Sequence, residues 1–334
     1  MNFQKFNRAF FLILAAAILS ACGSAIPPSE TTPAVTPSPT IAPLGDPSNP
    51  LTLLVANPAN LPAAEEAANR LSSQFLEETG FALEVRFVPT AQELLLVVSK
   101  GQAQAAFLPP ATYLYASERG LAEVQLLANV FGSYYYGSQV FINTSANPEV
   151  PIPADPLDEN SALAALSLMN GKTPCFTTPT SLSGYIVPLG AFRRYEMELA
   201  EPVFSQSFEA VIRSLYIRGI CDLGATYAVS GDPRTAAELQ DLPDILQTIQ
   251  PVWKSAPIIP SLSFSTLPGV DKDIRESITA FLLQWIADPL GKETISALTG
   301  TQVQDFRRVD DSVFDPLRQA IRDSGIPLEQ LVGY

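Results

Sequence analysis

Between Leu51 and Glu118 the chain alternates between a strand rhythm and a helix rhythm three times over, and few folds accept that order. Leu51 to Ala56 (LTLLVA) is an apolar run of strand length, broken by Asn57-Pro58-Ala59-Asn60. Ala64, Ala67, Ala68, Leu71 and Phe75 then recur at helical spacing, and Gly80 stops them as a left-handed C-terminal residue. Leu83, Val85 and Phe87 alternate as in a second strand, followed by a helix predicted from about Ala91 to Lys100 and stopped by Gly101. Ala105 to Leu108 reads as a third strand. Pro110 suits the first turn of the helix ATYLYASERG, because its missing N–H would have no helical partner there. Parallel strands need crossovers, and helices supply them, so βαβαβα predicts a mainly parallel sheet with helices on both faces.

Further strands are predicted at Val124 to Ala128 and Gln139 to Ile142, with Tyr134, Tyr135 and Tyr136 between them as half-buried strand aromatics rather than a ligand wall. An acidic, proline-rich loop from Pro148 to Asn160 leads into a second α/β unit. Its helix carries Leu163, Leu166 and Leu168. Its most informative stretch is Gly171 to Gly190, GKTPCFTTPTSLSGYIVPLG. Thr173 to Thr177 reads as a buried strand, Thr178 to Leu182 as a hydroxyl-rich loop, and a helix opens near Ser183-Gly184-Tyr185. A helix start has unpartnered N–H groups and the positive end of the dipole, which suits an anion. Thr180, Ser181 and Ser183 add hydroxyls, and Gly184 lets a ligand approach the backbone. Local capping alone would also place serine there. Val203-Phe204 is a short strand, Phe208 to Arg218 a helix ended by Gly219, and Cys221 to Tyr227 another strand. Asp273 to Asp288 is an amphipathic helix ended by Pro289, and a last helix runs from Asp315-Pro316 to Gly325.

Of the 334 residues none is histidine, which excludes Ser-His-Asp and Cys-His catalysis and histidine-based zinc sites. Three cysteines are one too few for an all-cysteine tetrahedral site, and no cofactor or metal is expected. A net charge of −14 argues against nucleic acid as a partner. No carboxylate pair stands out at a strand end, so no enzymatic activity is expected. At the N-terminus, Lys5 and Arg8 precede a short apolar run, Phe10 to Leu19, and then Leu19-Ser20-Ala21-Cys22. This looks like the signal of a bacterial lipoprotein: 1–21 would be a cleaved leader, and Cys22 the lipidated residue. Residues 22–49, rich in Pro, Ser and Thr, read as a tether that cannot bury enough surface to fold.

Several stretches together resemble the periplasmic phosphonate/phosphite-binding proteins of ABC transporters, a branch of the type II solute-binding proteins. They are GQAQAAFLPPATY (Gly101 to Tyr113), GKTPCFTTPTSLSGYIVP (Gly171 to Pro188), FEAVIRSLYIRGICDLGA (Phe208 to Ala225) and PVWKSAPIIP (Pro251 to Pro260). ADPLGKETISAL (Ala287 to Leu298) and FDPLRQAI (Phe314 to Ile321) complete the set. The resemblance implies a type II periplasmic-binding-protein fold: two α/β lobes, hinge strands and a central cleft. Lobe 1 would be 50–141 plus 257–334, and lobe 2 would be 142–256. A phosphonate-, phosphite- or phosphate-like oxyanion would sit between them, and a membrane permease would recognise the closed form. The family's Ser-Thr-Ser-Gly loop carries over onto Ser181, Leu182, Ser183 and Gly184, with Leu182 a departure that removes one hydroxyl. Tyr113 matches a family tyrosine that points its phenol at the ligand, with Pro110, Ala111 and Thr112 before it. Phe208-Glu209 stands where the family often has His-Glu, and Thr90-Ala91-Gln92 lacks a family tyrosine. Asn57, after the first strand, and Tyr227, at the end of a lobe 2 strand, complete the expected contacts. The pocket so inferred is less polar than is usual for the family and suits a larger or more apolar anion.

With Cys22 lipidated, the implied topology puts Cys175 and Cys221 on neighbouring parallel strands, and export favours a disulfide between them; two buried thiols are the alternative. The expected partners are a small oxyanion, an ABC permease and, through the lipid, a bacterial membrane surface, with the protein itself a monomer and extracytoplasmic. Two other functions fit the same fold. One is binding of an organic cation or neutral aromatic solute by Tyr113, Tyr134, Tyr135 and Tyr136. The other is ligand sensing in place of uptake.

Overall fold

The computed structural model describes residues 42–333 apart from Asn57, Ala59, Val229 and Ser230; the leader, Cys22 and the tether up to residue 41 lie outside the described residues. The first unit follows the hydrophobic rhythm closely: β1 (Leu51–Ala56), α1 (Leu61–Thr79), β2 (Leu83–Val88), α2 (Ala91–Ser99), β3 (Ala105–Leu108) and α3 (Pro110–Glu118). Asn60 and Thr90 cap α1 and α2 by accepting from the amides of Ala63 and Glu93, and Gly80 closes α1 at φ 76°. Then come β4 (Glu123–Val130), β5 (Tyr135–Asn143), α4 (Glu159–Ser167) and β6 (Pro174–Phe176). A π-helical turn at Leu182–Ile186 runs directly into α5 (Val187–Arg194), and β7 (Val203–Phe204), α6 (Phe208–Ile217) and β8 (Leu223–Ala228) follow. The remainder is α7 (Ile245–Thr248), β9 (Ile249–Lys254), β10 (Ile259–Pro260), β11 (Ser263–Thr266), α8 (Lys272–Trp285), α9 (Pro289–Thr299), β12 (Val303–Arg308), α10 (Asp315–Ser324) and α11 (Leu328–Leu331).

Two mixed sheets result. The first has the order β12-β4-β11-β3-β1-β2, with β1 parallel to β2 and β3, and β11 and β12 antiparallel to their neighbours. The second has the order β10-β5-β8-β6-β7, with β9 also on β5; β6 is parallel to β7 and β8. The first core packs Leu53, Leu71, Phe75 and Leu282 at 0–1% exposure, with the Phe75 and Phe281 rings edge-on at 5.2 Å. Each such side chain contributes about 1.5–3 kcal/mol by leaving water.

The expected lobe boundaries shift in three places. All of β5 pairs within the second sheet, so the chain leaves the first sheet near residues 131–134 rather than at 141. It returns between Pro260 and Ser263. α10, expected in lobe 1, packs on α5 instead: a Cβ added at Gly190 would lie 2.6 Å from the carbonyl oxygen of Ala320. α11 then returns to α3. The tether also ends earlier than 49. Gly45 N–H donates to Asn49 O at 2.8 Å, Ala82 N–H donates to Gly45 O, and Leu44 packs against the first core. Pro289, expected to end a helix, opens α9 instead, with Asp288 accepting from the amide of Leu290.

Cys175 and Cys221 form a disulfide with Cα atoms 5.6 Å apart. Cys175 lies in β6, and Cys221 just precedes β8, so the bridge staples the edge of the two paired strands.

Candidate functional site

A cleft of about 800 Å³ lies between the two sheets. On one side it is bounded by Pro109 to Thr112 at the start of α3, on the other by Thr180 to Ser183 at the π-helical turn. Phe208 and Tyr227 belong to the second side. Val130 comes from the end of β4, Phe131, Ser133, Ser261 and Leu262 from the two crossings, Tyr136 from β5, and Thr301 and Leu331 from the rim. None of these residues is charged.

In the π-helical turn the amides of Ile186 and Val187 donate to the carbonyls of Ser181 and Leu182. Gly184 N–H donates to Ser181 Oγ at 3.0 Å. The amides of Leu182 and Ser183 donate to no other described residue. At the start of α3, Tyr113 N–H donates to Pro109 O, while the amides of Ala111 and Thr112 donate to no described residue. Two helix starts with unspent donors therefore border one cleft, and both bring partial positive charge to it.

The serines divide their work. Ser181 Oγ accepts from Gly184 as a cap, so the local reading of this residue holds too, while its own O–H remains a donor. The Ser183 hydroxyl makes no hydrogen bond within the described residues although the residue is only 3% exposed. Its carbonyl accepts from Ser138 Oγ at 2.6 Å, and Ser138 N–H donates to Ser255 Oγ. A buried chain of serines beneath the turn thus fixes the backbone of Ser183. Gly184 is needed there: a Cβ would lie 2.2 Å from Thr177 Oγ1 and 2.8 Å from Ser181 Oγ. The Thr177 hydroxyl is itself buried without a partner.

Of the expected contacts, Thr112, Thr180, Ser181, Leu182, Ser183 and Tyr227 come together on the cleft wall. Gly184 lies directly behind it. Glu209 is half-buried at the second position of α6, next to Phe208, and its charge is felt by the Tyr227 phenol. Asn57 lies outside the described residues. Tyr113 is a correction. It is 1% exposed, its ring packs on Phe314 at 4.2 Å, and its phenol donates to Asp311 Oδ1 at 2.6 Å instead of facing the cleft. Burial and the bond to Asp311 raise its pKa. Burial pushes Asp311 up, but hydrogen bonds from Arg318, Tyr113 and Ser117 outweigh it and hold that carboxyl below the ordinary range.

Sequence reasoning passed over the crossing residues Phe131, Ser133, Ser261 and Leu262, because loops between lobes carry no periodic signal. It set Tyr136 aside as a strand aromatic; its ring reaches the cleft, and burial holds its phenol at about 12. Tyr227 is raised too, by burial first and then by Glu209 and Asp232. Both phenols are therefore neutral donors at physiological pH. A second cavity, of about 470 Å³ between α5, α10 and Trp253 to Ala256, differs in kind. It is lined by charges of both signs, Arg194 and Lys254 with Glu159 and Asp323.

Two α/β lobes joined by crossing segments over a cleft define a type II periplasmic binding protein. The chain belongs to the phosphonate branch: residues 54–314 match the family described as "ABC transporter, phosphonate, periplasmic substrate-binding protein". It is thus a periplasmic substrate-binding protein of the ABC-transporter type. Among solved structures, a Xanthomonas citri protein bound to ATP aligns at TM-score 0.59 with 15% identity, over 82% of this chain and 96% of that one. A Prochlorococcus marinus phosphonate-binding protein in complex with methylphosphonate aligns at 0.54 with 12% identity, over 82% and 98%. A binding component of a Pseudomonas aeruginosa ABC phosphonate transporter aligns at 0.51 with 16% identity, over 83% and 87%. At these identities the likeness speaks for the fold. No curated protein sequence matches the chain.

Proposed function

We propose that the cleft takes a phosphonate-like oxyanion carrying an organic substituent, and that the chain delivers it to a permease from a lipid anchor at Cys22. The observation that carries the ligand class is the pair of helix starts, whose unspent amides at Ala111, Thr112, Leu182 and Ser183 border one cleft without a charged side chain. Amides and dipole ends bind oxyanions without formal positive charge, so the net acidity of the surface is no obstacle. Ser181, Ser183, Thr112 and Thr180 supply hydroxyl donors, and Tyr136 and Tyr227 add neutral phenols. The volume bears on size: about 800 Å³ is the scale of pockets for drug-sized ligands, well beyond a bare tetrahedral anion. An organic cation fits less well, because no carboxylate lines the wall.

Isothermal titration of ligand-free protein with methylphosphonate, phenylphosphonate, phosphite, phosphate and sulfate tests the ligand class. Heat is expected with the phosphonates; silence with every oxyanion sinks the reading. For the anchor, mass spectrometry of the mature N-terminus is expected to find a lipid adduct on Cys22, and Cys22→Ser is expected to release the protein from membranes. An unmodified cysteine would remove the anchor from the proposal.

A further inference from the structure

The turn that carries the chain out of the first sheet has an odd occupant. Val130 N–H donates to Ser133 O at 2.8 Å and Ser133 N–H to Val130 O at 3.1 Å, closing a two-residue turn over Phe131 and Gly132. Both central residues have positive φ, 51° for Phe131 and 87° for Gly132. Such turns favour Asn, Asp or Gly at the first central position, since a Cβ there crowds the following carbonyl. A phenylalanine is disfavoured for its bulk and again for its exposure, which is 59%. Among the described residues its ring stacks on no other aromatic. Its backbone is nonetheless held, with Phe131 N–H donating to Gln302 O. The ring lies on the wall of the cleft, whose lobe 2 side carries Phe208 and Tyr227 edge-to-face at 4.9 Å.

A strained, firmly held aromatic left largely exposed in the free protein is explained by what it meets when the site is filled. We infer that Phe131 is a specificity-determining residue that covers the organic substituent of the ligand, opposite the Phe208–Tyr227 pair, while the helix starts hold the oxyanion. This assignment rests on the oxyanion reading of the cleft and deepens it. It predicts a preference for phosphonates with an apolar or aromatic substituent over those with a methyl group or none. The turn lies at the crossing between lobes, so closure carries the lobe 2 aromatics toward the ring, and the substituent is covered only in the closed form.

The test compares wild type, Phe131→Asn and Phe131→Tyr by titration with methylphosphonate and phenylphosphonate, and by thermal melting without ligand. Phe131→Asn is expected to lose about tenfold in affinity for phenylphosphonate and less than about threefold for methylphosphonate. It is also expected to melt about 2–4 °C higher, because asparagine accepts the turn geometry. Phe131→Tyr, which keeps the ring, should retain the wild-type preference. If wild type binds both compounds and Phe131→Asn loses neither, or loses both equally, the assignment falls and the oxyanion reading stands. If wild type binds neither, the oxyanion reading falls and takes the assignment with it.

Discussion

At the scale of single residues, the site rests on three neighbours with separable jobs. Ser183 presents a hydroxyl with no partner inside the described protein, so replacing it costs the fold little and the ligand a charge-assisted hydrogen bond. Ser183→Ala is expected to weaken oxyanion binding roughly tenfold or more with an unchanged melting temperature, read by titration and calorimetry. Gly184→Ala differs, because its methyl would press on Thr177 Oγ1 and Ser181 Oγ and open the cap. That variant should lose both affinity and about 1–3 kcal/mol of stability. If the two variants behave alike, the turn is a structural cap without a separate binding role. Tyr113 gives the opposite pattern. Its phenol is committed to Asp311, so Tyr113→Phe is expected to cost about 1–2 kcal/mol of stability while leaving affinity within about twofold. A large loss of affinity would return the phenol to the ligand.

At the scale of elements, what was legible in the sequence is what periodicity and caps encode. β1, β3 and β7 match their expected bounds, and α1 and α10 end at Gly80 and Gly325, both left-handed. The strand, loop and helix start between 173 and 187 were legible because apolar run, hydroxyls and helix signal are contiguous. β12 was missed: Val303–Arg308 is half polar because it covers one face at a sheet edge, so its apolar signal is thin. α9 was missed because a proline after Asp288 ends one helix and begins another with the same letters. Tyr113 was misplaced because its partner, Asp311, lies 198 residues away. The disulfide is the element-scale bond that export makes available. It spans 46 residues, and closing a loop of that size in the unfolded chain corresponds to about 4 kcal/mol. Reduction is expected to lower the unfolding free energy in urea by about 2–4 kcal/mol, with the loss felt in β6, α6 and β8. Denaturation curves that coincide with and without reductant, or two free thiols titrated in unreduced protein, would remove the bridge from this account.

At the scale of the whole molecule, the lobes are tied in more places than the two expected crossings. The segments near 131–134 and 261–262 join the sheets, while β12 belongs to the first sheet, α10 packs on α5 of the second unit, and α11 returns to α3. Residues 309–314 therefore form a third crossing and 325–327 a fourth, with Asp311 gripping Tyr113 and Ser117 on one side of the third and Arg318 of α10 on the other. α5, which continues from the π-helical turn, packs closely on α10 at Gly190. A ligand closes such a molecule only by the extra contacts that it makes in the closed form. The candidate donors lie on opposite walls, the α3 start on one and Ser181 to Ser183 on the other, so a ligand held by both would couple occupancy to closure. Saturating phosphonate is expected to reduce the radius of gyration in small-angle scattering. It should also slow amide exchange at 182–183 through direct bonding, while exchange at 131–134, 261–262 and 309–314 changes because those segments absorb the rotation. Identical scattering from the empty protein and from one shown by titration to be saturated would mean that the third crossing holds the lobes rigid. Delivery to a permease would then have to be signalled by the rim of the cleft, without any change in the angle between the lobes.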